Sequence, residues 1–291
     1  MIDGIHLRAN IENFEEYIEN SELNFKKHIE IKSGEISSKA FYNEKGIIIN
    51  LYPNNRILVN ANLPKLLYGN NYTDLSYTEL NNAILLICKM LKLTPEVLEI
   101  SSFEFGLNIP INYTFNSLEM IENVICYKFQ SFSDMDAGRK NKSIGKKYTP
   151  QEFEIKIYSK SEQLSLCYEL VRFETKVRKM NYVSKSRFYN LSSLLNKENL
   201  EFLKNKLVEN YENTVILDTS IDLNLLNEKE QILYLNWQSP YYRNKLSKTN
   251  KRKFHSEKQK LIQLFDKYGK NDLRNSFKKD LIKKWDIQLN T

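Results

Sequence analysis

The sequence predicts an α+β fold: an antiparallel sheet backed by helices, followed by a helical C-terminal region. Three observations carry that expectation. Segments 98–109, 152–159 and 169–178 alternate apolar and polar residues with a period of two, the mark of half-buried strands. Leu80, Ala83, Ile84, Ile87 and Leu91 recur instead at helical spacing. After residue 182 alternation gives way to amphipathic helical segments, with no internal repeat and no low-complexity tether. Two regions are therefore expected, 1–182 holding the strands and 183–291 helical and basic.

In chain order, the first 60 residues read mainly as strands. GEISSKAFYNEKGIIINLYP folds back at the EKG turn, residues 44–46, and RILVNANLP is a strand ended by Pro64. LPKLLYG predicts a short helix stopped at Gly69, and SYTELNNAILLICKMLKL a longer one opening at Thr78 and Glu79. LEISSFEFGLNIPI sets Phe103, Phe105, Leu107 and Ile109 on one face, and Ser102, Glu104, Gly106 and Asn108 on the other. A short helix over 115–124 and the strand ICYKFQSF follow. SDMDAGRKNKSIGKKY is polar and glycine-containing and predicts a mobile basic loop carrying Arg139, Lys140, Lys146 and Lys147. Beyond residue 182, RFYNLSSLLNKENLEFLKNKLVENY gives two amphipathic segments, SIDLNLLNEKEQILYLNWQ another, and the basic tail at least two more.

Composition narrows the partners. Apolar residues are 41% of 291, enough for a substantial core. The net charge of +7 is concentrated: from Arg243 to Lys284, 15 Lys and Arg face four acidic residues, leaving the rest slightly acidic. One basic end is the footprint of a nucleic-acid or anionic-membrane partner, a solvated lysine-rich helix pair being the plain alternative. Lys251, Arg252, Lys253 and Arg274 are its candidate contacts, with Tyr241, Tyr242 and Trp285 among the lysines. No apolar run approaches the ~18 residues of a membrane span, and MIDGIHLRAN has no signal-peptide core, so a cytoplasmic protein with no membrane partner is expected. Cys88, Cys126 and Cys167 match neither a zinc spacing nor a disulfide framework. His6, His28 and His255 are isolated, so metal chemistry would rest on carboxylates, which favour Mg²⁺ or Mn²⁺.

The polar faces of the three alternating strands gather the candidate chemistry. If the strands are neighbours, Glu104, Glu154, Lys156, Tyr158, Arg172, Glu174 and Arg178 share one surface. Two carboxylates there can hold a divalent cation that polarises a scissile phosphate. A tyrosine hydroxyl beside it can attack phosphorus and conserve the bond as a phosphotyrosine. Lysine and arginine nearby would lower the tyrosine pKa and clamp phosphate, on a sheet face open to a single strand. Each residue also fits a plainer role: Tyr158 is one of 18 tyrosines, and Glu174 between Arg172 and Lys176 suits a cross-strand ion pair. Tyr168 shares the parity of Arg172 and Glu174 and is a second candidate nucleophile.

The chain resembles the gene II/X family of phage and plasmid replication proteins, the rolling-circle initiators of filamentous phages. Five landmarks carry the likeness, in order, through most of residues 1–182: MIDGIHLR, RILVNANLPKLLYGNN with its following helix, EISSFEFGLNIPI, IKIYSK and LVRFETKVRK. RNSFKKDLIKK, 274–284, adds a weaker echo. The resemblance implies a site-specific, metal-dependent nickase and religase over 1–182 that joins to a 5′ phosphate at an origin and leaves a 3′ hydroxyl. Origin DNA, a host helicase and a host polymerase are the implied partners, in a bacterial host cell. It assigns Tyr158 as nucleophile with Lys160 beside it, and Glu174 with Glu104 as the ligands of Mg²⁺ or Mn²⁺. Lys156, Lys160, Arg172 and Arg178 would hold phosphates. Glu104 stands where the family usually has Asp, and Gly69-Asn70-Asn71 where it has Gly-His-Asn. A non-catalytic origin-binding protein and a mobilisation relaxase are the alternatives.

Overall fold

A ten-stranded antiparallel sheet organises the chain, with helices against one of its faces. The computed structural model describes residues 1–111, 116–135, 143–270 and 273–291. Its first half runs β1 (Ile2–Asn10), α1 (Phe14–Asn20), β2 (Lys26–Ile29), β3 (Ile36–Glu44), β4 (Ile47–Tyr52), β5 (Arg56–Asn62), α2 (Leu63–Tyr68), α3 (Tyr77–Leu91) and β6 (Glu99–Pro110). Then come α4 (Ser117–Glu122), β7 (Val124–Tyr127), β8 (Gln130–Ser131), β9 (Ser133–Asp134), β10 (Gly145–Tyr148), β11 (Phe153–Ser159), α5 (Lys160–Leu164) and β12 (Leu170–Val177). The remainder is α6 (Lys197–Glu212), β13 (Thr214–Ile216), α7 (Glu228–Gln238), α8 (Pro240–Thr249), α9 (Lys251–Tyr268) and α10 (Leu273–Asn290).

The large sheet has the order β2-β3-β4-β5-β1-β6-β12-β11-β10-β9, so the three alternating strands are neighbours in it, as β6-β12-β11. Phe103, Phe105, Phe173, Ile155 and Ile157 point from them into the core. α3, α6 and α10 cover that face with Ile84, Leu203, Leu207, Phe277 and Trp285 among others. Local chemistry fixes each boundary. Lys45 and Gly46 both adopt positive φ (47° and 80°) and close the β3–β4 hairpin with the twist adjacent strands need. Ser76 and Glu79 form a reciprocal capping box at the start of α3. Asn62 caps α2 by accepting from the Lys65 amide at 2.8 Å, and Gly69 (φ 73°) ends it.

Three expectations change locally. α1 interrupts the strand-rich opening, because Asn13 accepts from the Glu15 and Glu16 amides and nucleates a helix. ICYKFQSF does not run as one strand: Lys128, at φ 49°, folds it into β7 and β8, which with β13 form a second sheet. The predicted basic loop contains β10, a strand paired along β11 from Gly145↔Tyr158 to Tyr148↔Ile155. Residues on both sides of position 183 share the sheet's core, while α7, α8 and α9 gather a second one around Trp237 and Phe254. No helix among the described residues is long and apolar enough to cross a membrane.

Candidate active site

The site lies on the sheet face away from α3, α6 and α10, and strand register assembles it. β12 pairs with β6 and β11, so Glu174 stands between Gly106 and Lys156, and Arg172 between Asn108 and Tyr158. Tyr158, Lys156, Arg172, Glu174 and Glu104 thus share one face, as the period of two predicts. Arg178 falls one residue beyond β12 and is exposed. Tyr168 sits in the turn before β12, 49% exposed, rather than on the strand.

Asp3 completes the constellation, and the alternating pattern did not find it. A register shift between Ile2 and Ile5 in β1 keeps both isoleucines in the core and leaves Asp3 and Gly4 in the irregular stretch between them. The signal was present in the sequence: Ile-Asp-Gly-Ile spaces apolar residues by three, which an unbroken strand facing one core cannot do. Carboxylate oxygens of Asp3, Glu104 and Glu174 lie within 4.8 Å of one another. Asn62 holds Asp3 from the α2 cap, donating to Oδ1 at 2.5 Å.

Arg172 is the hub. Its Nη2 lies 2.9 Å from Asp3, its Nε 2.5 Å from Glu174 Oε2 and its Nη1 3.4 Å from Asp74. Asp74 comes from the α2–α3 loop, accepts from the Asn108 amide at 3.0 Å and pairs with Lys284 of α10 at 2.7 Å. Lys156 pairs with Glu174 at 3.1 Å, with Glu154 at 3.3 Å and with Glu104 at 3.9 Å. Lys176 pairs with Glu104 at 2.9 Å. Neither Asp74 nor Lys284 carries a sequence signal, since a loop and a helix bring them from far along the chain.

Burial grades across this strip. Glu104, Lys156 and Lys176 lie at its half-buried end, while Tyr158, Arg172, Glu174 and Lys160 are buried. The face expected to be open is closed at its deep end. The electrostatics follow. Burial opposes the Glu174 carboxylate, but Arg172 and Lys156 outweigh it and hold its pKa down to about 2. Burial raises Asp3, with Arg172 pulling the other way. Tyr158 was expected to be lowered by neighbouring cations. Instead its phenol is pushed well above its ordinary 10, first by burial and then by Glu174, which accepts from its hydroxyl at 3.4 Å. Lys160, with Nζ 5.3 Å from the Tyr158 ring centre, is pulled down to about 8 by burial and Arg172.

The other predicted contacts are scattered. Lys147 stands opposite Lys156 in β10, on the site face. Lys146 is its strand neighbour and turns its Nζ to the Glu122 and Val124 carbonyls, both at 3.0 Å. Arg139 and Lys140 lie outside the described residues. Lys251, Arg252 and Lys253 are exposed on the first turn of α9. Arg274 donates to the Glu212 carbonyl at 3.1 Å, tying α10 to α6.

No family model matches the chain, and no curated protein matches it in sequence. Among solved structures it is similar to a rolling circle replication initiator protein from Geobacillus stearothermophilus, with TM-score 0.43 and 12% identity over 72% of this chain and 84% of that one. It is also similar to Methanococcus jannaschii TBP, with TM-score 0.31 and 10% identity over 70% of this chain and 97% of that one. Neither likeness assigns a reaction or a ligand to this chain.

Proposed function

We propose that the protein is a rolling-circle replication initiator of the gene II/X type, nicking and rejoining one DNA strand at an origin through Tyr158. The observation that carries this reading is the contact of the Tyr158 hydroxyl with Glu174, beside the three-carboxylate cluster of Asp3, Glu104 and Glu174. Only oxygen donors make up that cluster, which suits Mg²⁺ or Mn²⁺. A divalent cation held there supplies polarisation of the scissile phosphate and offsets charge on the leaving oxygen. Lys156 and Lys176 now neutralise those carboxylates and sit at the half-buried end, where a displaced lysine reaches phosphate.

In the proposed step the Tyr158 oxygen forms a bond to phosphorus as the bond to the 3′ oxygen breaks. The phenol proton passes to the Lys160 amine once that side chain swings to the hydroxyl from its place over the ring, where its Nζ lies 5.3 Å from the ring centre, and its depressed pKa leaves a neutral amine available near pH 8. The products are a 5′-phosphotyrosine and a 3′ hydroxyl that takes a proton from solvent; rejoining reverses each transfer. Origin DNA is then the substrate, and a host helicase and polymerase act on the freed strand. The test is incubation with Mn²⁺ or Mg²⁺ and supercoiled DNA of the protein's own element. Nicked circles should carry protein through boiling in detergent, with the adduct mapping to Tyr158.

A second reading, a non-catalytic origin-binding protein, is favoured by the burial of Tyr158, 6% exposed and bonded to Glu174. Tight DNA binding without an adduct in either metal would establish it in place of the first.

A further inference from the structure

The second core packs α7, α8 and α9 against the small sheet, burying Cys126 and Val215, and the nicking chemistry does not use the outer surface of those helices. Trp237 of α7 and Phe254 of α9 pack with ring centres 4.9 Å apart, and Leu246 of α8 joins them. α9 turns Phe254, Lys258, Leu261 and Leu264 inward. Helical spacing then fixes the line opposite: Arg252, Ser256, Gln259 and Gln263, at intervals of four, three and four residues, all exposed. No apolar side chain falls on that line, and its first carboxylate, exposed Asp266, comes one step beyond Gln263. Glu257, in the middle of the helix, is held off it, accepting from Trp237 Nε1 at 3.1 Å and from the Tyr242 hydroxyl at 2.9 Å. Lys253, Lys260 and Lys267, seven residues apart and exposed, form one flank of the crest.

We infer that the crest of α9 reads base edges in the major groove of duplex DNA, while its lysine flank grips the phosphates. The residue types match that division. Arginine pairs with guanine through two hydrogen bonds, glutamine with adenine in the same way, and serine with either, whereas lysine contributes charge along the backbone. A solvated face needs only charge, and from Arg252 to Gln263 this exposed line carries two neutral amides, a hydroxyl and a guanidinium. At 18 residues α9 spans about 27 Å, and a helix of ~10–12 Å diameter enters a groove about 12 Å wide. Exposed Lys245 and Lys248 of α8 and Lys251 at the head of α9 extend the positive surface around it. This inference rests on the proposed role at an origin and goes beyond it, giving duplex selectivity to residues that take no part in cleavage.

The experiment is selection of duplexes from a random-sequence pool by the full chain at moderate salt, followed by binding titrations with variants of unchanged melting temperature. An enriched sequence should emerge. Arg252→Ala and Gln259→Ala should each cut the preference for it over a shuffled duplex by about tenfold. Lys260→Ala should weaken both duplexes alike and reduce the slope of log affinity against log salt by about one. Gln259→Ala and Lys260→Ala should form the Tyr158 adduct on a single-stranded oligonucleotide as the wild type does. Selectivity for the enriched duplex, lost in the crest variants, supports the role of α9 even if no adduct ever forms, an outcome that would sink only the cleavage reading. No enrichment, equal loss on both duplexes by Arg252→Ala and Gln259→Ala, or binding to an acidic polypeptide as tight as to duplex would overturn it.

Discussion

The Tyr158 hydroxyl touches Glu174 at 3.4 Å while its ring fills the strip, so Tyr158→Phe removes the proposed nucleophile and little else. Covalent adducts and nicked circles should vanish, with DNA affinity and melting temperature close to wild type. The Lys160 amine, with a pKa near 8, makes a pH prediction: adduct formation should climb through about pH 8 as the amine loses its proton, and Lys160→Met should flatten that climb. Glu174 gives the acid limb. Its folded pKa of about 2 lies below the ordinary 4.5, so its contribution to stability is complete above 4.5 and is lost as pH falls toward 2. Glu174→Gln should erase that limb in denaturation profiles. It should also cost roughly 3–5 kcal/mol at neutral pH, since Arg172 keeps a buried charge with one partner fewer. At this scale the sequence was informative wherever strand parity decides the face: Tyr158, Lys156, Arg172, Glu174 and Glu104 were all readable together. It was silent on depth. Nothing in the pattern told that Lys160 is 2% exposed or that Arg172 is wrapped by Asp3, Glu174 and Asp74.

Strand pairing explains why two glycines flank the Tyr158–Glu174 pair. Gly106 lies opposite Glu174, and a Cβ there would sit 2.6 Å from Glu174 Cα and against the Phe173 carbonyl. Gly145 lies opposite Tyr158, where a Cβ would meet the Tyr158 Cβ and, at 2.8 Å, Met135 Sδ. Each strand therefore approaches its neighbour closely beside the proposed site. Gly106→Ala should cost about 1–3 kcal/mol in chemical denaturation by overpacking. If the carboxylate cluster holds Mn²⁺ as proposed, the variant should also reduce the rise in melting temperature that the ion gives, because Glu174 shifts. Strands, hairpin and the longer helices were legible from periodicity and turn residues. Asp3 was not, because the irregularity in β1 breaks the parity that located Glu104, Lys156, Tyr158, Arg172 and Glu174. Neither glycine could be assigned, because the sequence does not state which residues stand opposite one another.

Across the whole molecule, α10 both fills the core and reaches the site. Phe277, Leu281, Trp285 and Leu289 are buried against the sheet, and Lys284 ties Asp74, hence Arg172, to the same helix. Trp285→Ala should lower stability by about 3–5 kcal/mol in urea titrations, a cost expected of a core residue and not of a loose basic tail. The charge asymmetry read from composition was visible at once. What it concealed is that its helices divide, α10 joining the large sheet while α7, α8 and α9 pack with the small sheet around a second core. The sheet's breadth has one more consequence. An open sheet has two rims, and one of them, β2, shows Lys26, Lys27, His28 and Ile29 to solvent. Ile36 on the strand beside it is also exposed, which leaves a row of backbone donors and acceptors next to apolar side chains. The paired lysines make that rim repel a copy of itself. Replacing both with threonine should leave the fold intact and raise light scattering at high concentration, as unguarded rims recruit one another.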